Sequence, residues 1–130
     1  MKKWLHITML FLLMSFSLKA EFLEIERQKA LIEKKLILLS VTKESCPYCI
    51  KMEKDVFENM SYRKQIEKKY LHVSIQQEGS NLPQALHVKY FPTNLILSPS
   101  DLKLIDEFAG YIEPANFIEL LDEVYTQEFK

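Results

Sequence analysis

The spacing of apolar residues changes several times along this chain of 130 residues, and each change predicts a new element. From Glu21 to Lys35, apolar residues recur at near-helical spacing among charged ones, which predicts an amphipathic helix packed on a sheet. The run from Leu36 to Val41 is apolar except for Ser40, the pattern of a strand buried on both faces. We expect this strand at the centre of the sheet. The apolar residues of the predicted helix are Phe22, Leu23, Ile25, Ala30, Leu31 and Ile32.

The rest of the chain predicts further helices and strands in alternation. A helical period runs from Ile50 to about Glu58, and segment 59–61 interrupts it, with Ser61 as the predicted N-cap of a further helix. Segment 71–75 alternates and predicts a strand, on which His72 is interpreted as a surface or edge residue rather than a catalytic base. The remaining predicted elements are a polar loop (77–81), a short helix (82–88), a strand (94–97), a hairpin turn (98–101), a strand (102–108) and a final helix that opens at Pro114.

The composition is that of a globular protein. Hydrophobic residues make up 48% and charged residues 27% of the chain, which excludes a largely disordered protein. The formal net charge is −1, and neither a basic patch nor a nucleic-acid motif is present, so we expect no nucleic-acid partner. We predict one domain over residues 21–130, which is long enough to bury a core.

Residues 1–20 have the features of an export signal. Met1-Lys2-Lys3 is positively charged, the stretch from Ile7 to Leu18 is mostly apolar, and Ala20 is small enough to precede a cleavage site. The apolar stretch is short for a bilayer-spanning helix. We therefore predict a cleavable signal peptide, with an uncleaved membrane tether and a buried N-terminal helix as alternatives.

The only two cysteines, Cys46 and Cys49, stand where the central strand ends and the next helix begins. Pro47 suits the first helical turn because its fixed φ is already helical. Cys46 would then lie at the helix N-terminus, where free N–H groups and the helix dipole favour a thiolate and lower the pKa of the thiol. Cys49 lies one turn further and can reach back, so the pair is predicted to carry two electrons with no further cofactor.

Two other interpretations of the cysteine pair stay open. A zinc or copper site needs more ligands, and only His72 and His87 are available outside the N-terminal segment, at spacings that match no common zinc module. A purely structural disulfide would close a very small loop and would stabilise the fold little. An exported chain with one C-x-x-C pair fits an oxidising compartment, most simply a bacterial periplasm.

The segment from Cys46 to Phe57 resembles exported thioredoxin-like proteins, including the SoxW-like group and the C-terminal domain of DsbD-type transmembrane thiol reductases. Segment 88–93 is similar to their V-x-x-x-P-T motif, and segment 108–111 to their closing strand. The resemblance covers residues 21–130. It implies an α/β protein with the thioredoxin fold, a central mixed sheet of about four strands flanked by helices.

The resemblance also implies roles for individual residues. Cys46 would attack a target disulfide and Cys49 would resolve the mixed disulfide. Pro92 would be cis and lie against the cysteine pair, where the backbone of Phe91 would pair with an extended substrate segment. Tyr48 and Thr93 would belong to the same substrate-binding surface, although Tyr48 is equally a tolerated surface aromatic.

Several positions depart from the family pattern. Ser45 replaces the tryptophan that commonly precedes the C-x-x-C motif, and Ser40 stands where cytoplasmic thioredoxins carry a buried carboxylate. The proton acceptor for Cys49 is therefore unassigned, since the nearest carboxylate, Glu44, is expected to be solvated. The glycine and Val-Pro features of a glutathione site are missing, which excludes a glutathione enzyme.

We therefore predict a monomeric, periplasmic thiol:disulfide oxidoreductase that reduces disulfides in exported proteins and is recharged by a membrane thiol-electron transporter. A disulfide-donating oxidase of the same fold and a redox-inactive metal-binding module are the alternatives. The direction depends on the relative stability of the two redox states, where about 30 mV corresponds to about 1.4 kcal/mol.

Overall fold

The computed structural model describes residues 21–130, so the predicted signal peptide lies outside the described residues. The elements in chain order are α1 (Glu24–Glu33), β1 (Leu36–Thr42), α2 (Pro47–Met52) with a π-helical continuation (Glu53–Phe57), α3 (Met60–Glu67), β2 (Tyr70–Gln76), a 3₁₀ turn (Gln84–Leu86), β3 (Thr93–Leu97), β4 (Leu104–Ala109) and α4 (Pro114–Glu128). The strands form one sheet in the order β2-β1-β3-β4. Strand β1 pairs parallel with β2 and antiparallel with β3, and β3 pairs antiparallel with β4. The predicted mixed sheet of four strands is confirmed.

Strand β1 lies inside the sheet and is covered on both faces. Leu36 and Leu38 belong to one apolar core, which contains residues of α2, its π-helical continuation, α3 and α4. Ile37, Leu39 and Val41 belong to a second core on the other face, with Ala30 of α1 and the 3₁₀ turn. The two covered faces explain why the strand is apolar at nearly every position instead of alternating.

Helix α1 differs from its prediction. Ile25 and Ile32 are 80% and 82% exposed, and Ala30 is the buried residue of the helix. The predicted apolar face fails because the helix begins only at Glu24, after Leu23 in a left-handed conformation at φ 55°. Phe22 and Leu23 precede the helix and pack on the second core. They therefore do not share a helical face with Ile25 and Ile32.

Helix α3 is capped two residues earlier than predicted, by Asn59 instead of Ser61. The side chain of Asn59 accepts hydrogen bonds from the backbone N–H of Ser61 at 3.1 Å and of Tyr62 at 3.4 Å. Asparagine is at least as good an N-cap as serine, and Asn59 has the extended backbone that an N-cap needs. The prediction of Ser61 as the cap was wrong, although the predicted interruption of the helix is present.

The predicted helix before β3 and the predicted strand after it are both shorter in the structure. The expected helix over 82–88 is reduced to the 3₁₀ turn, and β4 starts at Leu104 because Leu102 is left-handed at φ 59°. Arg27 of α1 donates hydrogen bonds to the carbonyl oxygens of Pro99, at 3.0 Å, and of Ser100, which fixes the turn between β3 and β4. No helix within residues 21–130 is long and apolar enough to cross a membrane.

Candidate active site

Cys46 and Cys49 form a disulfide at the N-terminus of α2, with their Cα atoms 5.2 Å apart. Cys46 is the N-cap residue, and its Sγ accepts a hydrogen bond of 3.2 Å from the backbone N–H of Cys49. Pro47 occupies the start of the helix, and Ser45 precedes it in a left-handed conformation at φ 54°. The left-handed turn at Ser45 changes the direction of the chain between β1 and the redox helix.

The two cysteines differ in exposure. Cys46 is only 4% exposed, whereas Cys49 is partly exposed. Tyr48 and Ile50, which neighbour Cys49 along the chain, are 62% and 55% exposed. The disulfide therefore lies at a surface that carries exposed apolar side chains, with Cys46 as its deeper member.

The segment before β3 is held in place by hydrogen bonds within the protein. The Phe91–Pro92 peptide bond is cis, and the carbonyl oxygen of Pro92 accepts a hydrogen bond of 2.7 Å from the N–H of Gly110. The buried side chain of Thr93 donates to the carbonyl oxygen of Tyr90 at 2.6 Å. The ring of Phe91 packs against the second core.

A groove of about 410 Å³ runs beside the disulfide. Both cysteines line it, but Tyr48, Phe91, Pro92 and Thr93 do not. Lys43 connects the two regions, because it lines the groove and its ammonium lies 5.6 Å from the centre of the Phe91 ring. The other lining residues are Thr42, Glu44, Ser45, Ile50, Glu53, Lys54, Glu58, Ser74 and Gln76.

Glu53 is the site residue that the sequence analysis missed. It lines the groove together with both cysteines, and burial, followed by the charge of Glu58, raises the pKa of its carboxyl group above the usual value. Its spacing of four residues from Cys49 was a usable signal, since side chains at i and i+4 are neighbours on a helix.

Ser40 lies in a buried chain of hydrogen bonds beneath the redox helix. Its hydroxyl donates to Oδ1 of Asn94 at 2.5 Å, and its oxygen lies 2.8 Å from Nε2 of His72. Asn94 in turn donates to Sδ of Met52 at 3.4 Å. We assign the Nε2 proton to His72, because the serine hydroxyl proton is already engaged with Asn94. These hydrogen bonds connect β2, β1, β3 and α2, and each buried polar side chain among them has a hydrogen-bond partner.

His72 lies where the sequence analysis expected it, but it is more buried than a surface residue. It lies on the edge strand β2 as expected, but it is partly buried, and its ring stacks on Phe57 with the ring centres 3.9 Å apart. Burial, with a smaller effect of the nearby Arg63 charge, lowers the pKa of His72 to about 4. The imidazole is therefore neutral near pH 7 and acts as a structural hydrogen-bond donor to Ser40.

Within residues 21–130, no group of three or more histidine, cysteine, aspartate or glutamate side chains is arranged to hold a metal ion. What the arrangement can do chemically is thiol–disulfide exchange. It presents two cysteines that bond to each other, with one sulfur at a helix N-terminus where a thiolate is stabilised.

Comparisons with known proteins agree with this geometry. The thioredoxin-like domain family matches residues 23–125 of the chain. Among solved structures, a thioredoxin from Thermus thermophilus aligns with 23% identity and a TM-score of 0.63, over 77% of this chain and 82% of that one. The periplasmic thioredoxin SoxS from Paracoccus pantotrophus aligns with 18% identity and a TM-score of 0.59, over 72% of this chain and 99% of that one.

A third similar structure is the C-terminal domain of DsbD from Neisseria meningitidis in its reduced form. It aligns with 17% identity and a TM-score of 0.59, over 78% of this chain and 92% of that one. Among curated proteins, none matches the sequence of this chain. At these identities the solved structures show a shared fold, and the family match covers most of the chain. The chain therefore belongs to the thioredoxin-like domain family, and its Cys46–Cys49 disulfide is the redox pair of a thiol:disulfide oxidoreductase.

Proposed function

We propose that this protein reduces disulfide bonds of exported proteins in a bacterial periplasm. The observation that carries the proposal is the Cys46–Cys49 disulfide at the N-terminus of α2, with Cys46 as the N-cap. In the reduced protein, the Cys46 thiolate attacks one sulfur of a client disulfide and the other client sulfur leaves as a thiolate. Cys49 then attacks Cys46, which forms the internal disulfide and releases the second client sulfur.

The compartment follows from the N-terminal segment. Residues 1–20 act as the signal peptide, and residues 21–130 form the mature domain. The fold shared with SoxS, which is a periplasmic thioredoxin, supports this location. The mature protein works as a monomer, needs no cofactor beyond its two cysteines and has no nucleic-acid partner.

The reductive direction rests on the similarity to DsbD. The segment from Cys46 to Phe57 resembles DsbD-type thiol reductases, and the fold is shared with a DsbD C-terminal domain. A reductant in an oxidising compartment needs a source of electrons. A membrane thiol-electron transporter returns the Cys46–Cys49 disulfide to the dithiol after each turnover.

Clients are held beside the disulfide by backbone pairing. The backbone of Phe91, next to Pro92, adds a short strand-like contact to an extended client segment. Tyr48 is exposed and adds an apolar contact from the redox helix. The hydrogen bond from Thr93 to the carbonyl oxygen of Tyr90 holds this segment in shape.

The test starts from the full chain expressed in a bacterium with a periplasm. We expect the protein in the periplasmic fraction with Glu21 as its first residue. The purified protein, supplied with dithiothreitol, should reduce the disulfides of a folded test protein faster than dithiothreitol alone. Retention in the cytoplasm would contradict the location, and acceleration of disulfide formation without any reductase activity would contradict the direction.

A further inference from the structure

We propose that Glu53 accepts the proton of the Cys49 thiol when Cys49 resolves the mixed disulfide, and returns it when the reaction runs backwards. The inference rests on the proposed function, since it assigns a catalytic residue to the same exchange reaction. Ser40 replaces the carboxylate that would accept this proton from the central strand. Glu53 would accept it from the redox helix instead.

The geometry brings Glu53 to the cysteine pair. Cys49 lies in α2 and Glu53 follows one turn later, where the helix continues as a π-helix. Side chains four residues apart lie about 5–6 Å apart at their Cβ atoms on a helix. Both side chains line the groove beside the disulfide. We infer that the carboxylate meets the thiol there, directly or through one water molecule.

The buried hydrogen bonds of Ser40, Asn94 and His72 beneath the redox helix do not supply the proton acceptor. The hydroxyl of Ser40 already donates to Asn94, and its oxygen already accepts from His72. A proton passed along this chain would have to charge His72, whose burial opposes the imidazolium and lowers its pKa. No carboxylate within residues 21–130 forms an ion pair with this histidine.

The surroundings of Glu53 favour the uptake of a proton. Within residues 21–130 its carboxylate has no hydrogen-bond or ion-pair partner, and Glu58 lies in the same groove as a like charge. Glu53 is exposed overall, but partial burial of its carboxyl group and the charge of Glu58 both raise its pKa above the ordinary value. The other charged residues of the groove are Lys43, Glu44 and Lys54.

The step balances as a proton transfer followed by an exchange. The Cys49 S–H bond breaks and its proton passes to the Glu53 carboxylate. The Cys49 thiolate then attacks Sγ of Cys46, the new S–S bond forms, and the client sulfur leaves with the bonding electron pair as a thiolate. The two cysteines are oxidised by two electrons and the client is reduced by the same two. Glu53 then releases its proton to water.

The experiment separates the two chemical steps with a small probe. The full chain is expressed, and the exported, reduced protein is mixed with one equivalent of an aromatic disulfide whose thiol product is coloured. The first equivalent of colour reports the attack by Cys46, and the second reports resolution by Cys49. We expect E53Q to leave the first phase unchanged and to slow the second phase roughly tenfold near pH 7.

Alkaline pH distinguishes proton transfer from a structural effect. Above the pKa of Cys49 its thiolate forms without a base, so the defect of E53Q should disappear there. The matched control is E44Q, which removes a carboxylate from the same groove and should resolve at the wild-type rate. A distorted helix would slow resolution at every pH.

Four results would overturn the inference. They are an unchanged second phase in E53Q, a defect of E53Q that persists at alkaline pH, an equal and pH-rescued defect in E44Q, and a pH-rescued defect in S40A without one in E53Q. The proposed function is tested separately by the first phase. If the wild-type protein releases no colour at all, the exchange activity itself is refuted and the role of Glu53 falls with it.

Discussion

The backbone N–H of Cys49 points at Sγ of Cys46 and donates a hydrogen bond of 3.2 Å to it. The redox helix is thus capped by a sulfur atom instead of the usual oxygen. A cap accepts hydrogen bonds from free N–H groups and lies at the positive end of the helix dipole, and both effects favour a negative charge. We therefore expect the thiolate of the reduced protein at Cys46, although Cys46 is less exposed than Cys49.

The two cysteines should give different phenotypes when each is replaced by serine. Cys46→Ser removes the attacking thiolate and should abolish exchange with protein disulfides. Cys49→Ser leaves the attack intact but removes resolution, so mixed disulfides with clients should accumulate. Non-reducing electrophoresis followed by mass spectrometry measures both outcomes. Adducts on Cys49 in the Cys46→Ser variant, at the wild-type rate, would reverse the roles.

The thiol of Cys46 should have a pKa below the ordinary value of about 8.5. The cause is the capping position, where the N–H of Cys49 and the helix dipole stabilise the thiolate. The ultraviolet absorbance of the thiolate, titrated in the Cys49→Ser variant, reports this group alone. A pKa at or above about 8.5 would show that the capping geometry does not stabilise the thiolate.

The hydroxyl of Tyr70 should contribute to stability more than that of Tyr125. Tyr70 donates a buried hydrogen bond of 2.5 Å to the carbonyl oxygen of Leu121, which ties β2 to α4. Tyr70→Phe removes this buried hydrogen bond, while the carbonyl of Leu121 keeps its helical partner in α4, and should lower the free energy of unfolding by about 0.5–1.5 kcal/mol. Tyr125→Phe loses only an exposed hydrogen bond to Lys34 and is the matched control. Urea unfolding measures both, and equal effects would contradict the prediction.

The protein should become less stable as the pH decreases, because of His72. Because its pKa is about 4 in the folded protein and about 6.5 in the unfolded one, the unfolded state binds more protons between these values. The contribution of His72 is complete above about pH 6.5 and is lost as the pH falls towards 4, by roughly 2–3 kcal/mol. Unfolding curves over this range should be less steep in pH for His72→Gln, and an unchanged slope would refute the prediction.

Tyr48 should matter for protein clients but not for small disulfides. Its side chain is 62% exposed beside the disulfide, where only a large partner covers it. Tyr48→Ala should raise KM for a protein disulfide several-fold and leave the rate with a small aromatic disulfide unchanged. Steady-state kinetics with both substrates make the comparison. An equal effect on both would mean that Tyr48 supports the redox pair instead of binding clients.

The elements with strong local signals could be predicted from the sequence. The continuous apolar run of β1, the C-x-x-C pair before a helix and the apolar period of α4 each reflect burial or backbone chemistry that acts within a few residues. The position of Ser40 in the central strand also follows from the run. What Ser40 contacts does not, because His72 and Asn94 reach it from strands 32 and 54 residues away in the sequence.

The errors in the bounds of two elements have local causes, whereas the missed groove has a long-range one. Leu23 and Leu102 adopt left-handed conformations, which bulky residues rarely do, and each shortens a predicted element. The groove beside the disulfide was invisible in the sequence because it joins α2 with Ser74 and Gln76 of β2. Glu53 stood at a helical spacing from Cys49, but only the groove shows that this face of the helix borders the redox pair.

The reduction potential of the Cys46–Cys49 couple decides whether this protein is a reductant. The exported protein is equilibrated with thiol buffers of defined potential, and the fraction of reduced cysteines is measured after alkylation. We expect a value near that of thioredoxin, about −270 mV, which is the value of a reductant. A value near that of the strong oxidant DsbA, about −120 mV, would contradict it and would make the protein a donor of disulfides.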